Sequence, residues 1–268
     1  MIKMMGLKNP EGYRFTFFIS FDFDSESAEI WNKVEDYVKL TRGKMGVEII
    51  PCLLDLLEDL NLKVTFFTPS WVVEKYSSQV KEIVEAGCEV AAHGYLHEKL
   101  SKLNRYEEAS IFEKTEKIFS NILGFKPLGF RAPYWNMSKR TLKFLSNHEY
   151  LYDSSLMNSP KPYILSLSED SGMLVELPVN WYWDDWPHYE TLKRSAKMFR
   201  EMVLEEIQAA AEINGYVSLT LHPQVESTPS RIKILKEILE EALKLEAWIP
   251  LGRELAEWIL KITSPSGK

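Results

Sequence analysis

Short apolar runs alternate with longer stretches of helical period along most of this chain. Tyr13–Ser20 is apolar and aromatic-rich and predicts a buried strand. Leu62–Phe67 predicts a second strand, stopped by Thr68-Pro69, and Glu89–Ala92 a third. Leu128–Phe130, Leu151–Tyr152, Leu174–Leu177 and Tyr216–Leu221 predict the others, about seven in all. Between them Val47–Leu60 has apolar residues at helical spacing, with Pro51 in its first turn. Ser70 caps a helix expected to reach Ala86, where Gly87 ends it. Asn104–Leu123, Ser138–Ser146, Glu190–Ile213, Pro229–Leu245 and Gly252–Ile262 complete the helices. Ala28–Gly46 has no strong period and predicts an extended loop with a short helical piece. Met1–Gly12 reads as a loose arm.

Strands that alternate with helices pair in parallel. No linker, repeat or low-complexity tract divides the 268 residues, so the expectation is α/β, a single-domain distorted (β/α) barrel of about seven parallel strands. Polar and ionisable residues follow the C-terminal ends of the strands: Asp22 and Asp24, Thr68, His93, Arg131, Asp153, Asn180 and His222. In a βα barrel that end carries the active site.

The chemistry concentrates in two places. His93 and His97, two of five histidines, lie four apart, which is metal-ligand spacing on a helical turn or a tight loop. Taken alone, the pair reads equally well as two surface histidines one turn apart. A third ligand has to come from elsewhere, and Asp22-Phe23-Asp24 is the best donor. Aspartate is a poor strand former, and alternation puts both carboxylates on one face, where they repel. A bound cation is the simplest way to keep both ionised.

Composition narrows the field. The net charge of −7 leaves no nucleic-acid footprint, and no apolar run reaches the roughly 18 residues of a membrane span. With neither a signal-peptide run nor a disulfide framework, the expected location is cytoplasmic; Cys52 and Cys88 read as buried free thiols.

The ordered set Asp-x-Asp, His-x-x-x-His, Arg-x-Pro-Tyr, Asp-Ser-Ser and Leu-x-Leu-His-Pro, from about Phe17 to Trp258, resembles the polysaccharide deacetylase family, the rhizobial nodulation-type deacetylase domain. The resemblance implies a metal-dependent hydrolase that removes an acetyl or small acyl group from an amide nitrogen of an N-acetylated sugar or polysaccharide fragment. It implies Asp24, His93 and His97 as ligands of one divalent ion, zinc first, with cobalt, nickel or iron compatible with the donor set. Asp22 resembles the general base and Arg131 its partner. The Tyr134 main-chain N–H resembles an oxyanion donor, His222 the general acid, and Asp153 the carboxylate that orients it.

Departures from the commonest pattern point to a subgroup with peptidoglycan-deacetylase-like and allantoinase-like amidohydrolases. The aspartates are two apart rather than adjacent, and Val179–Pro187 is rich in tryptophan. Hydrolysis of small cyclic amides or imides is therefore the alternative, and a non-catalytic binding module a third reading. Tyr134 and Trp135 read as pocket walls. Trp181, Trp183 and Trp186 read as a sugar-stacking wall or a hydrophobic lid, one that suits a contact between copies of the chain. Thr68 and Asn180 are candidate pocket residues and Glu26 a loop or supporting one. Asp184 and Asp185 read as solvated in preference to substrate-binding, and His148 and His188 as surface residues.

Overall fold

The computed structural model describes residues 6–167 and 172–263. Its strands are β1 (Phe15–Asp22), β2 (Thr65–Thr68), β3 (Glu89–Ala92), β4 (Gly129–Phe130), β5 (Tyr152–Asp153), β6 (Tyr163–Leu165), β7 (Leu174–Glu176), β8 (Tyr216–Leu221) and β9 (Ala247–Trp248). They form one curled sheet in the order β6-β7-β5-β4-β3-β2-β1-β8, with β9 paired to the start of β1. Every pairing is parallel except β6 with β7. The expected parallel barrel is thus present as a curled half-barrel. All seven expected strands are present, and two more bring the sheet to nine among the described residues: β6 turns back as an antiparallel edge, and β9 is a two-residue addition. Beyond β7 the chain crosses to β8 through one parallel bridge, Asp184 to Thr220.

The helices are α1 (Ser27–Trp31), α2 (Tyr37–Glu48), α3 (Ile50–Asp59), α4 (Ser70–Lys75), α5 (Ser77–Glu85), α6 (Arg105–Leu123), α7 (Lys139–Asn147), α8 (Ala196–Ile213), α9 (Pro229–Lys244) and α10 (Gly252–Thr263). The long amphipathic ones follow the predicted signals. Asn104 and Glu107 form a capping box on α6, and Gly124 ends it at φ 82°. Phe112 and Phe119 of that helix bury their apolar face against the main core, where Phe112 meets Phe130 of β4 and Phe144 of α7. No described helix is long and apolar enough to cross a membrane.

Three local expectations are corrected. Ala28–Gly46 is mostly helical. α2 has no apolar stripe because it docks through glycines: a Cβ on Gly43 would stand 2.5 Å from the Glu26 nitrogen, and one on Gly46 would meet Gln224. The backbone, not a row of side chains, makes the contact, so no period exists to detect. Next, α8 starts at Ala196 under the Ser195 side chain, and Pro187–Thr191 is a separate π turn. Finally, Cys52 is exposed while Cys88 is buried.

Candidate active site

The site lies at the C-terminal ends of β1, β3, β4 and β8. β1 ends on Asp22, and the Phe23 N–H still pairs with the Phe67 carbonyl at 2.8 Å, so strand alternation carries on to Asp24. β3 ends on Ala92 and delivers His93. The two histidines do not sit on a helix. Gly94 at φ 73° and His97 at φ 62° bend a tight loop, and Glu98 holds it by accepting from Tyr95 N–H (2.9 Å) and Leu96 N–H (2.8 Å). That loop folds His97 back until its ring centre is 4.9 Å from that of His93.

Asp24, His93 and His97 offer ligand atoms that all lie within 4.8 Å of one another. His93 Nε2 is 3.5 Å from Asp24 Oδ1, and His97 Nε2 is 3.5 Å from Asp24 Oδ2. His93 Nδ1 donates to the Arg131 carbonyl at 2.8 Å, which fixes the tautomer that leaves Nε2 free to ligate. His93 Nε2 and Asp24 Oδ1 are buried with no hydrogen-bond partner. Unpaired buried polar atoms are costly, and a cation among them removes the cost, so these residues fit a metal ion. Burial pushes His93 down to about 4 and His97 well below the usual histidine range, which keeps both rings neutral at neutral pH. Burial also raises Asp24 to about 8, opposed by His222, as expected for a carboxylate whose counter-charge is a bound ion.

Beside this cluster Asp22 Oδ1 accepts from Arg131 Nη1 at 2.6 Å. Burial alone would raise the Asp22 carboxyl. Arg131, His93 and His222 outweigh it, and the net direction is below the ordinary carboxylate value. Arg131 is fully buried, and it also donates to Ser20 Oγ (2.8 Å), the Ser154 carbonyl (3.1 Å) and Ser154 Oγ (2.9 Å). Its guanidinium lies 3.9 Å from the ring centre of Phe67 and 5.1 Å from that of Trp135.

On the opposite side His222 follows β8. Its Nε2 is 3.9 Å from Asp24 Oδ2. Its Nδ1 is 2.7 Å from Asp185 Oδ1, and its main-chain N–H donates to Asp185 Oδ2 at 2.8 Å. Burial would lower this imidazole, but Asp185, Asp184 and Asp24 raise it well above the usual histidine range, which favours its protonated form.

The carboxylate behind His222 is therefore Asp185, and the assignment of Asp153 to that place is corrected. Asp153 is fully buried at the end of β5, where Ser155 Oγ donates to it at 2.8 Å and Glu176 shares a hydrogen bond with it. Strand order explains the difference: β5 lies four strands from β1, on the far side of Arg131, while the Trp181–Trp186 segment crosses to β8. Asp184 and Asp185 are accordingly buried, not solvated. His188 is also buried, against Tyr189 and Phe199, whereas His148 stacks on Phe144 near the surface.

A cavity of about 620 Å³ opens onto Asp22, Asp24, His97 and His222. Tyr134, Trp135, Trp181 and Trp186 form its aromatic walls. Tyr134 and Trp135 adopt successive left-handed conformations, φ 55° and 54°, which bring the Tyr134 ring centre within 4.2 Å of that of His97. Trp183, expected among the substrate residues, instead packs on the main core. Thr68 and Asn180 do not line this cavity: the Thr68 hydroxyl faces the Phe66 carbonyl, and Asn180 caps the Trp181–Trp183 turn. Glu26 is buried and accepts from Tyr76 Oη (2.6 Å) and Ser25 Oγ, so it secures the loop after Asp24. Asp185 and Glu176 are the residues that sequence reasoning missed. The only clue was a pair of carboxylates flanked by tryptophans in an otherwise apolar segment.

Comparison with known proteins agrees with this geometry. The polysaccharide deacetylase family profile matches residues 31–152. A Helicobacter pylori peptidoglycan deacetylase is 30% identical over 260 residues, spanning 83% of this chain and 87% of the relative. The chain belongs to the polysaccharide deacetylase family. A Bacillus cereus peptidoglycan-N-acetylglucosamine deacetylase is 31% identical over 121 residues, 45% of this chain and 44% of the relative. Among solved structures, a polysaccharide deacetylase family protein of Mycobacterium smegmatis superposes with a TM-score of 0.87 at 30% identity, covering 96% of this chain and 93% of that one. Puue allantoinase superposes at 0.86 but is 15% identical, so that likeness is one of fold. The Helicobacter and Bacillus relatives are deacetylases, hydrolases of carbon–nitrogen bonds, and the chain shares their family, with a curled half-barrel and residues able to hold a metal.

Proposed function

We propose that this deacetylase removes an acetyl or small acyl group from the amide nitrogen of an N-acetylated sugar or short sugar fragment, with one divalent ion held by Asp24, His93 and His97. The observation that carries the reading is the flanking of those unpartnered ligand atoms by a carboxylate on one side and an imidazolium on the other. A bound divalent ion, zinc first among those the donor set accepts, supplies Lewis-acid activation of the amide carbonyl and of water. Asp22, kept ionised and aimed by Arg131, takes the proton of the attacking water. His222 gives its Nε2 proton to the leaving nitrogen, and Asp185 holds the ring by Nδ1. The Tyr134 main-chain N–H serves the developing oxyanion, and the aromatic walls take the sugar faces.

Asp22→Asn tests the base. Acetate release from N-acetylglucosamine oligomers by the zinc-loaded chain should fall by about 10²- to 10⁴-fold with metal content unchanged. Retention of most of the activity removes Asp22 from that role.

A second reading, hydrolysis of a small cyclic amide or imide, is favoured by the way α1 and α2 roof the cavity. Asn32, just after α1, donates to Tyr134 Oη at 2.8 Å, and Arg42 of α2 meets Glu190 at 2.7 Å and lies over Trp186. Tied on both sides, the roof suits a compact substrate or a chain end over the middle of a polymer. Arg42→Ala should extend activity toward longer oligomers in a chain-length series. An oligomer-blind enzyme that opens cyclic imides identifies the second reading.

A further inference from the structure

Behind Asp185 lies a third carboxyl group that neither the metal cluster nor the base uses. Glu226 follows His222 by four residues in a tight turn, with both Val225 N–H (2.9 Å) and Glu226 N–H (3.0 Å) donating to the His222 carbonyl. Glu226 is 2% exposed, and its carboxyl stands within hydrogen-bonding reach of the Asp185 carboxyl. Asp185 already spends Oδ1 on His222 Nδ1 and Oδ2 on the His222 main chain, both as an acceptor. Two carboxyl groups can share a hydrogen bond only if one carries the proton, and the one that already accepts twice from His222 is the acceptor. One Glu226 oxygen, Oε1, is buried with no hydrogen-bond donor on it. That is tolerable for the carbonyl of a neutral acid and severe for half of an ionised carboxylate. Burial and the neighbouring Asp185 charge push the Glu226 carboxyl well above the usual range, in agreement with that assignment.

We propose that Glu226 is a positioning residue: as a neutral acid it donates its O–H to Asp185 and so holds both Asp185 oxygens on His222. The device removes one negative charge from the carboxyl cluster behind the His222 ring. It also pins the Asp185 carboxylate against rotation, which keeps His222 Nε2 directed toward Asp24 and the cavity. Arg231 opposes the upward shift of Glu226 without forming an ion pair with it; its guanidinium donates to the Val225 carbonyl, stands 3.8 Å from Glu190 and lies over the Tyr189 ring.

The catalytic part of this role rests on His222 being the proton donor proposed above, so the test carries a readout that needs no turnover. In proton NMR of the full chain, the His222 Nδ1–H bonded to Asp185 should give a far-downfield, slowly exchanging resonance, identified by its loss in Asp185→Asn. Glu226→Gln keeps a donor and cannot ionise; it should keep the resonance and leave kcat within about threefold. Glu226→Leu keeps the bulk without the donor; it should broaden or lose the resonance and lower kcat by roughly tenfold to a hundredfold, with KM and metal content unchanged. An unchanged resonance in Glu226→Leu overturns the proposal, as does a Glu226→Gln variant that loses it. If Glu226→Leu fails to fold, as seen by circular dichroism, Glu226→Gln alone decides. If the wild-type chain releases no acetate, the resonances still decide the role of Glu226, and the fault lies with the substrate reading.

Discussion

Two clusters built from the same residue types face each other across the cavity: Asp24, His93 and His97 on one side, Asp184, Asp185 and His222 on the other. By distance alone each could hold a metal ion. What separates them is where their remaining atoms go. In the first, His93 spends Nδ1 on a main-chain carbonyl, and burial leaves both rings neutral with unpartnered atoms turned inward. In the second, the ring is clamped to Asp185 by Nδ1 and by its own main chain, Asp184 accepts from Trp186 N–H, and the carboxylates favour the protonated ring. A neutral imidazole with a free lone pair is a ligand; an imidazolium with both its carboxylate bonds satisfied is an acid.

The largest effect should come from the first cluster. Asp24→Asn is expected to lower metal content, read by mass spectrometry of the purified chain, and to cost on the order of 10³-fold or more in acetate release. Full activity without bound metal would end the distinction between the clusters. Next, Asp185→Asn should keep one metal per chain and still lose about 10²- to 10⁴-fold in kcat, because the ring loses both its charge partner and its aim. A second metal equivalent in the wild-type chain that vanishes in Asp185→Asn would make the second cluster a ligand set after all.

The smallest effect concerns Asp153, once the candidate for the place Asp185 holds. Burial, partly offset by Glu176, Ser155 and Arg131, puts its carboxyl at about 6 against 3.8 for a free side chain. Between those values the folded chain keeps a proton that the unfolded chain releases. This contribution to stability is present below 3.8 and is lost as pH rises through about 6. Asp153→Asn should flatten that fall in Tm while lowering kcat far less than Asp185→Asn. Equal losses of kcat in the two variants would restore Asp153 to the relay.

Much of the site was legible because it is written in short, local patterns. His93 and His97 stand four apart, Asp22 and Asp24 share a face at a strand end, and Arg131 and His222 follow strands directly. Each sits where an apolar run stops, and a parallel sheet brings such ends together whatever its exact strand count. The Asp185 partnership was not legible. Asp153 and Asp185 both follow apolar segments, and only the crossing of Trp181–Trp186 to β8 puts one of them on His222.

The sequence by itself therefore determined the alternation of strands and helices, the parallel barrel-like sheet it implies, and the identity of the groups able to ligate or transfer protons. Periodicity and residue chemistry act over a few positions and need no knowledge of the rest of the chain. Tertiary structure alone decided which carboxylate serves which base, that α2 roofs the cavity through Gly43 and Gly46, and that Trp181 rather than Trp183 faces substrate space. Those choices depend on contacts between segments far apart in the chain. Among buried groups the partner is decided by which polar atoms would otherwise be left unpaired away from water.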